Sequence, residues 1–210
     1  MHDVVVFDLD GTLSDPAVGI VASLNYSLSH HNYPEQTAAE LHRHIGPPLD
    51  HAFAHLTGSA DKRLLRSLVD KYRERYATIG YAENQLYAEI PSMLQRLADT
   101  GLKLGVCTSK RVDFAEKILD LFHLRHHFRF VSGGDVGVTK DQQLARLRRD
   151  GLISTRSIMV GDRAVDLAAA HENGLDSAGI LWGYGTAEEL AAENPRYIFQ
   201  SPFDLLALSA

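Results

Sequence analysis

Cysteine is nearly missing: Cys107 is the single one among 210 residues. One thiol makes no intramolecular disulfide, so a disulfide scaffold is excluded and a reducing compartment is expected. A basic excess is missing too. Lysine and arginine number 21 against 27 aspartates and glutamates, a formal charge of −6 with a pI near 6.0. That excludes a coat of basic residues for nucleic acid, and no run of like charge forms an interaction tail. No apolar run approaches the roughly eighteen residues of a membrane span. The run Val4–Phe7 is too short, and too closely flanked by Asp3 and Asp8, for the core of a signal peptide. A cytoplasmic chain with no membrane and no nucleic-acid partner is expected, as a monomer or a homodimer.

What is present is ordinary globular chemistry, 45% hydrophobic and 23% charged. This suits one large domain, or one domain carrying a smaller insert. Val4–Phe7 is continuous, apolar and β-branched, which reads as a strand buried on both faces. Similar runs recur at Lys103–Cys107, Phe128–Val131, Ser157–Val160 and Ser177–Leu181. Helical patterns lie between them at Pro91–Thr100, Arg111–Phe122, Lys140–Asp150 and Ala164–Asn173. Alternating strand and helix predicts an α/β fold with a parallel, Rossmann-like sheet and right-handed crossovers. One stretch breaks the rhythm. Residues 16–81 read as helices over Pro16–His31, Thr37–His44, Leu49–Leu56 and Ala60–Ile79, punctuated by Pro34, Gly46-Pro47-Pro48 and Gly58. An all-helical insert is therefore expected over 16–81, inside an α/β domain of residues 1–15 and 82–210. Tyr72, Tyr76 and Ile79 fall at helical spacing and are expected in the core of the insert.

Ligands of open α/β sheets bind at the carboxyl ends of the strands. Asp8 and Asp10 follow the first strand, Thr108 and Ser109 the second, and Asp162 and Asp166 the fourth. Lys140 opens the helix after the third. Clustered carboxylates repel, and a hard cation resolves the repulsion. Magnesium suits a site offering one or two carboxylates, with Asp8 and Asp162 the natural pair. A carboxylate can also attack phosphorus and form an aspartyl-phosphate. Lys140 would offset charge on the transferring group, and Thr108 could donate to a phosphate oxygen. Asp10 could protonate the departing alkoxide and then activate water. Gly11 permits a tight turn, and Thr12 is expected to bond back to Asp10. Each feature alone has a plainer reading as a turn, a cap or a solvated side chain. Their placement at neighbouring strand ends is what points to one pocket.

In Asp8-Leu9-Asp10-Gly11-Thr12, Cys107-Thr108-Ser109-Lys110 and Gly161-Asp162-Arg163-Ala164-Val165-Asp166, the sequence resembles the haloacid dehalogenase-like phosphatases over nearly its whole length. Lys140 stands where that family has its lysine, although Asp141 follows it where many relatives have proline. The resemblance implies a sheet of order 5-4-1-2-3 and a helical cap over 16–81 that closes on small phosphorylated metabolites. It also implies Mg2+ held by Asp8, Asp162 and the backbone carbonyl of Asp10, with Thr12 and Asp166 in support. Ile45-Gly46-Pro47-Pro48-Leu49 and Gly183-Tyr184-Gly185 resemble the phosphoglycolate phosphatase branch. Phosphoglycolate is therefore the expected substrate, with a 5'-nucleotidase, sugar phosphatase or phosphomutase as the alternatives. Phosphate binding would fall to Thr108, Ser109 and Lys140, and substrate shape to Gly46 and Pro47, a loop that reads equally as a plain connector. Asp10 separates phosphate esters from organohalides, because a halide needs no proton to leave. A non-catalytic phosphate-binding module is the reading from another class.

Overall fold

The computed structural model describes residues 2–46, 48–134 and 137–209. They fall into two compact units, one of residues 1–15 with 86–210 and one of residues 16–85. The first unit opens with β1 (Val4–Phe7), whose four residues are all buried, and a short β2 (Ser14–Asp15). The helical unit then holds α1 (Ala17–His30), α2 (Ala38–Leu41), α3 (Leu49–Thr57) and α4 (Lys62–Thr78). The chain returns through β3 (Gln85–Leu86), which pairs with β2. Beyond it come α5 (Ile90–Asp99), β4 (Lys103–Arg111), α6 (Val112–Leu121), β5 (Phe128–Gly134) and α7 (Lys140–Arg149). The chain closes with β6 (Ile158–Gly161), α8 (Ala164–Glu172), β7 (Asp176–Ile180), α9 (Ala187–Ala192) and β8 (Tyr197–Phe199).

The main sheet has the order β5-β4-β1-β6-β7-β8, parallel throughout. Read from its other edge, this is the expected 5-4-1-2-3 arrangement with β8 added. β1 is central, pairing Val5 with Leu104 on one side and with Ile158 on the other. Val4, Val6, Cys107, Met159, Leu144, Leu147 and Ala170 pack into one cluster between sheet and helices. Each fully buried side chain of Val or Leu size contributes about 1.5–3 kcal/mol. A central parallel strand must be apolar on both faces, which is why the first polar residues after it stand out.

The helical unit is built on α1 and α4. Leu24, Leu28, Phe53, Leu68, Tyr72 and Tyr76 are buried, and the Ser27 hydroxyl donates to the Leu68 carbonyl at 2.7 Å. Thr37 and Glu40 form a capping box at the start of α2, and Asp61 accepts from the Arg63 N–H at the start of α4. Ile79 departs from expectation. It lies one residue past α4 with φ −126°, off the helical register, and is 52% exposed. The helical unit also runs to residue 85 rather than 81. Arg75 grips Glu83 through two hydrogen bonds of 2.8 and 2.9 Å, so the turn at Gly80–Glu83 packs with α4.

Candidate active site

The Asp8 N–H donates to the Val160 carbonyl at 2.9 Å, carrying the β1–β6 ladder one residue past β1. The Asp8 side chain is thereby held at the carboxyl edge of the sheet, buried. The chain must then turn sharply. Gly11 takes φ +83°, in the left-handed region that favours glycine, and its N–H reaches the Ser14 carbonyl at 2.8 Å. A Cβ on Gly11 would lie 2.2 Å from Asp162 Oδ2, so a side chain is excluded on two counts.

Asp162 follows β6 and is fully buried. Its Oδ1 accepts from the Thr12 hydroxyl at 3.3 Å and its Oδ2 from the Tyr184 N–H at 2.8 Å. Thr12 was expected to hold Asp10. The turn at Gly11 instead brings its hydroxyl to the neighbouring strand end, and Trp182 fixes the Thr12 carbonyl at 3.0 Å. A Cβ on Gly183 would stand 2.5 Å from the same Asp162 oxygen, so two glycines admit this carboxylate.

Lys140 is the first residue of α7 and is buried at 3% exposure, not the solvated lysine it would be taken for in isolation. Its Nζ lies 3.1 Å from Asp8 Oδ1 and bonds Asp166 Oδ1. Burial alone would push its pKa down, but Asp166 and Asp8 outweigh burial and hold it above the usual lysine range. Asp166 Oδ2 accepts from the Arg163 N–H at 3.1 Å, fixing it at the first turn of α8.

Asp10 sits beside this group. Burial holds its carboxyl above the ordinary range, Lys110 at 2.8 Å pulls it back, and the charges of Asp8 and Lys140 reach it. Its Oδ1 is buried without a hydrogen-bond partner. Thr108, in the C-terminal half of β4, is buried, and its hydroxyl oxygen accepts from the Lys110 N–H at 3.2 Å. The hydroxyl hydrogen therefore remains to be donated. Ser109 is exposed. Gly46 belongs to the helical unit, exposed with φ +102°, and Pro47 lies outside the described residues.

Asp8, Asp162 and Asp166 each offer a carboxylate oxygen, all within 4.8 Å of one another. Burial first, then the neighbouring carboxylates, hold Asp162 and Asp166 above the ordinary range. Asp8 Oδ1, although close to Lys140, has no directed hydrogen bond. Buried, mutually repelling oxygens with spare lone pairs fit a hard divalent cation. Sequence reasoning missed two contributors. Lys110 was visible only as a motif neighbour, and Tyr184 only as part of a resemblance; neither carried a signal of what it touches.

A buried carboxylate cluster with a captive lysine thus stands at the carboxyl edge of a parallel sheet, a centre of acids with Lys140 and Lys110 beside them. The model of the haloacid dehalogenase-like hydrolases matches residues 5–180. The chain is 35% identical over 197 residues to a 5'-nucleotidase of Pseudomonas aeruginosa, covering 92% of this chain and 89% of that one. It is 34% identical over 191 residues to the tyrosine-protein kinase PtkA of Mycobacterium tuberculosis, covering 88% of this chain and 64% of that one. To a phosphoglycolate phosphatase of Aquifex aeolicus it is 31% identical over 217 residues, covering 98% and 95%. Among solved structures, a haloacid dehalogenase-like family hydrolase of Streptococcus pneumoniae matches with TM-score 0.92 at 27% identity, over 100% and 99% of the two chains. The chain belongs to the haloacid dehalogenase-like hydrolases.

Proposed function

We propose that this chain is a Mg2+-dependent phosphatase that cleaves a small phosphorylated metabolite through an aspartyl-phosphate on Asp8. At the level of reaction class it is a phosphoric monoester hydrolase. One observation carries the finer reading: Asp8 is held with Oδ1 toward Lys140, beside Asp162 and Asp166, with the protonatable Asp10 two residues on.

Asp8, Asp162 and the Asp10 carbonyl would hold the cation, with Asp166 completing the acidic group. Bound there, Mg2+ would neutralise charge on the phosphoryl oxygens. The remaining work belongs to the chain. Lys140 stands 3.1 Å from Asp8 Oδ1, and Oδ2 is the oxygen that attacks phosphorus. Thr108 donates its hydroxyl hydrogen to a non-bridging oxygen, and the ammonium of Lys140 balances the group's negative charge. As the new O–P bond forms and the ester O–P bond breaks, Asp10 gives its proton to the leaving oxygen. The same carboxylate then takes a proton from water, which attacks phosphorus, frees inorganic phosphate and returns Asp8. The raised Asp10 carboxyl suits this double role, since a proton must be available before it is given.

In this reading the helical segment is the substrate-selecting cap, and phosphoglycolate is the substrate. Support comes from the Gly46-Pro47-Pro48 and Gly183-Tyr184-Gly185 segments and from the Aquifex relative. The Pseudomonas relative supports a second substrate class, the nucleoside 5'-monophosphates. Two measurements decide. Mg2+-dependent phosphate release from a chromogenic aryl phosphate should fall by about 10³-fold or more in Asp8→Asn; equal rates would overturn the mechanism. A kcat/KM panel should rank phosphoglycolate first, and a higher value for a nucleoside monophosphate would reassign the substrate.

A further inference from the structure

Gln143 plays no part in the chemistry above, yet it is buried at 4% exposure and hydrogen-bonded through both ends of its amide. Its Nε2 donates to the Thr108 carbonyl at 3.1 Å. Its Oε1 accepts from the Ser132 hydroxyl at 2.7 Å and lies 3.9 Å from the Cys107 thiol. One amide thus joins α7 to the C-terminal halves of both β4 and β5.

Its location explains the need. The β4–β5 ladder pairs Cys107 with Ser132 and Thr108 with Gly133, then slips register between Thr108 and Arg111. Where a ladder breaks, backbone groups lose their regular partners, and a buried carbonyl without one is costly. Gln143 supplies that partner to Thr108. The Thr108 hydroxyl oxygen is held independently by the Lys110 N–H at 3.2 Å. Thr108 is therefore held at its carbonyl and at its hydroxyl oxygen, and its hydroxyl hydrogen is left to be donated. Lys140 and Gln143 are three apart on α7, neighbours on one helix face. The helix that presents Lys140 to Asp8 is docked on the strand that presents Thr108.

Resting on the phosphatase reading above, we infer that Gln143 is a positioning residue, which sets Thr108 so that its hydroxyl meets the phosphoryl group. It touches neither substrate nor metal. It acts through Thr108, so its effect must vanish when the Thr108 hydroxyl is gone.

The test is a double-mutant cycle on the full chain, using an aryl phosphate with Mg2+ and inorganic phosphate as a competing ligand. Gln143→Met keeps the volume and removes the hydrogen bonds. It should lower kcat/KM about tenfold and raise the inhibition constant of phosphate by a similar factor. Thr108→Val should lower kcat/KM further and raise that inhibition constant further. The double variant should match Thr108→Val within about twofold. Full activity in Gln143→Met, or losses that multiply in the double variant, would overturn the inference. Should Gln143→Met fail to fold, Ser132→Ala takes its place. Removing that partner of Oε1 should cause a smaller loss that again disappears in a Thr108→Val background, and persistence of the loss there would count against the inference. An inactive wild type would instead refute the phosphatase reading itself, so the two failures are told apart.

Discussion

Asp10 faces two demands that pull on one carboxyl. To protonate a leaving oxygen it must hold a proton, and to activate water it must release one. Burial raises its pKa, and Lys110 moderates the rise. Asp10→Asn should therefore split the two half-reactions. With an alkyl phosphate, turnover should fall by about 10²–10⁴-fold. An aryl phosphate has a leaving group that needs no proton, so a first-turnover burst of the phenol should survive while steady turnover falls. Absence of any burst in rapid-mixing kinetics would remove Asp10 from the second step. Asp8, Asp10, Thr108, Lys140, Asp162 and Asp166 were legible in the sequence because each is a polar residue at the end of an apolar strand or the start of the next helix. Thr12 was legible as a supporting residue though not by its partner, while Lys110, Gln143 and Tyr184 were not legible. Their importance lies in which distant atom they meet, and Thr12 reached Asp162 rather than Asp10 because of a turn that spacing alone does not specify.

At the scale of elements, continuous apolar runs such as Val4–Phe7 announced themselves, since a central parallel strand has no solvent face. β8 escaped because an edge strand of three residues, Tyr197–Phe199, has too few positions to show a period. The six-residue α9 escaped for the same reason, although Thr186 caps it by accepting from the Glu189 N–H. The end of the helical unit was misplaced because the Arg75–Glu83 pair has no pattern to read. That pair makes a pH-dependent prediction. Its hydrogen bonds to Arg75 hold the Glu83 carboxyl below its ordinary value. Its stabilisation is thus present above the unfolded carboxylate pKa, about 4.3, and is lost as pH falls through the lower folded value. Glu83→Gln should cost about 1 kcal/mol at pH 7. The difference from wild type, followed by urea unfolding, should shrink as pH is lowered through 5 to 3.5 by about the amount the lost charge contributed. A difference constant with pH would mean the pair's charge contributes nothing.

At the scale of the molecule, the acidic balance that excluded nucleic acid has a local counterpart in three carboxylates gathered at one sheet edge. Such an arrangement trades stability for binding. Without metal, Asp162→Asn should melt at or above wild type, because the substitution removes a buried charge repelled by Asp166 and Asp8. Saturating Mg2+ should then raise the melting temperature of wild type by about 5–10 °C and leave the variant unmoved. An equal rise in both would place the cation elsewhere. The most direct test of the central claim is chemical. Wild-type protein, quenched during turnover of a phosphate ester with Mg2+, is reduced with borohydride, which converts an aspartyl-phosphate to homoserine, and its peptides are then sequenced by mass spectrometry. Homoserine at position 8, dependent on substrate and absent from Asp8→Asn, is the predicted result. An unreduced Asp8 under conditions of active turnover, or homoserine at another aspartate, would contradict it.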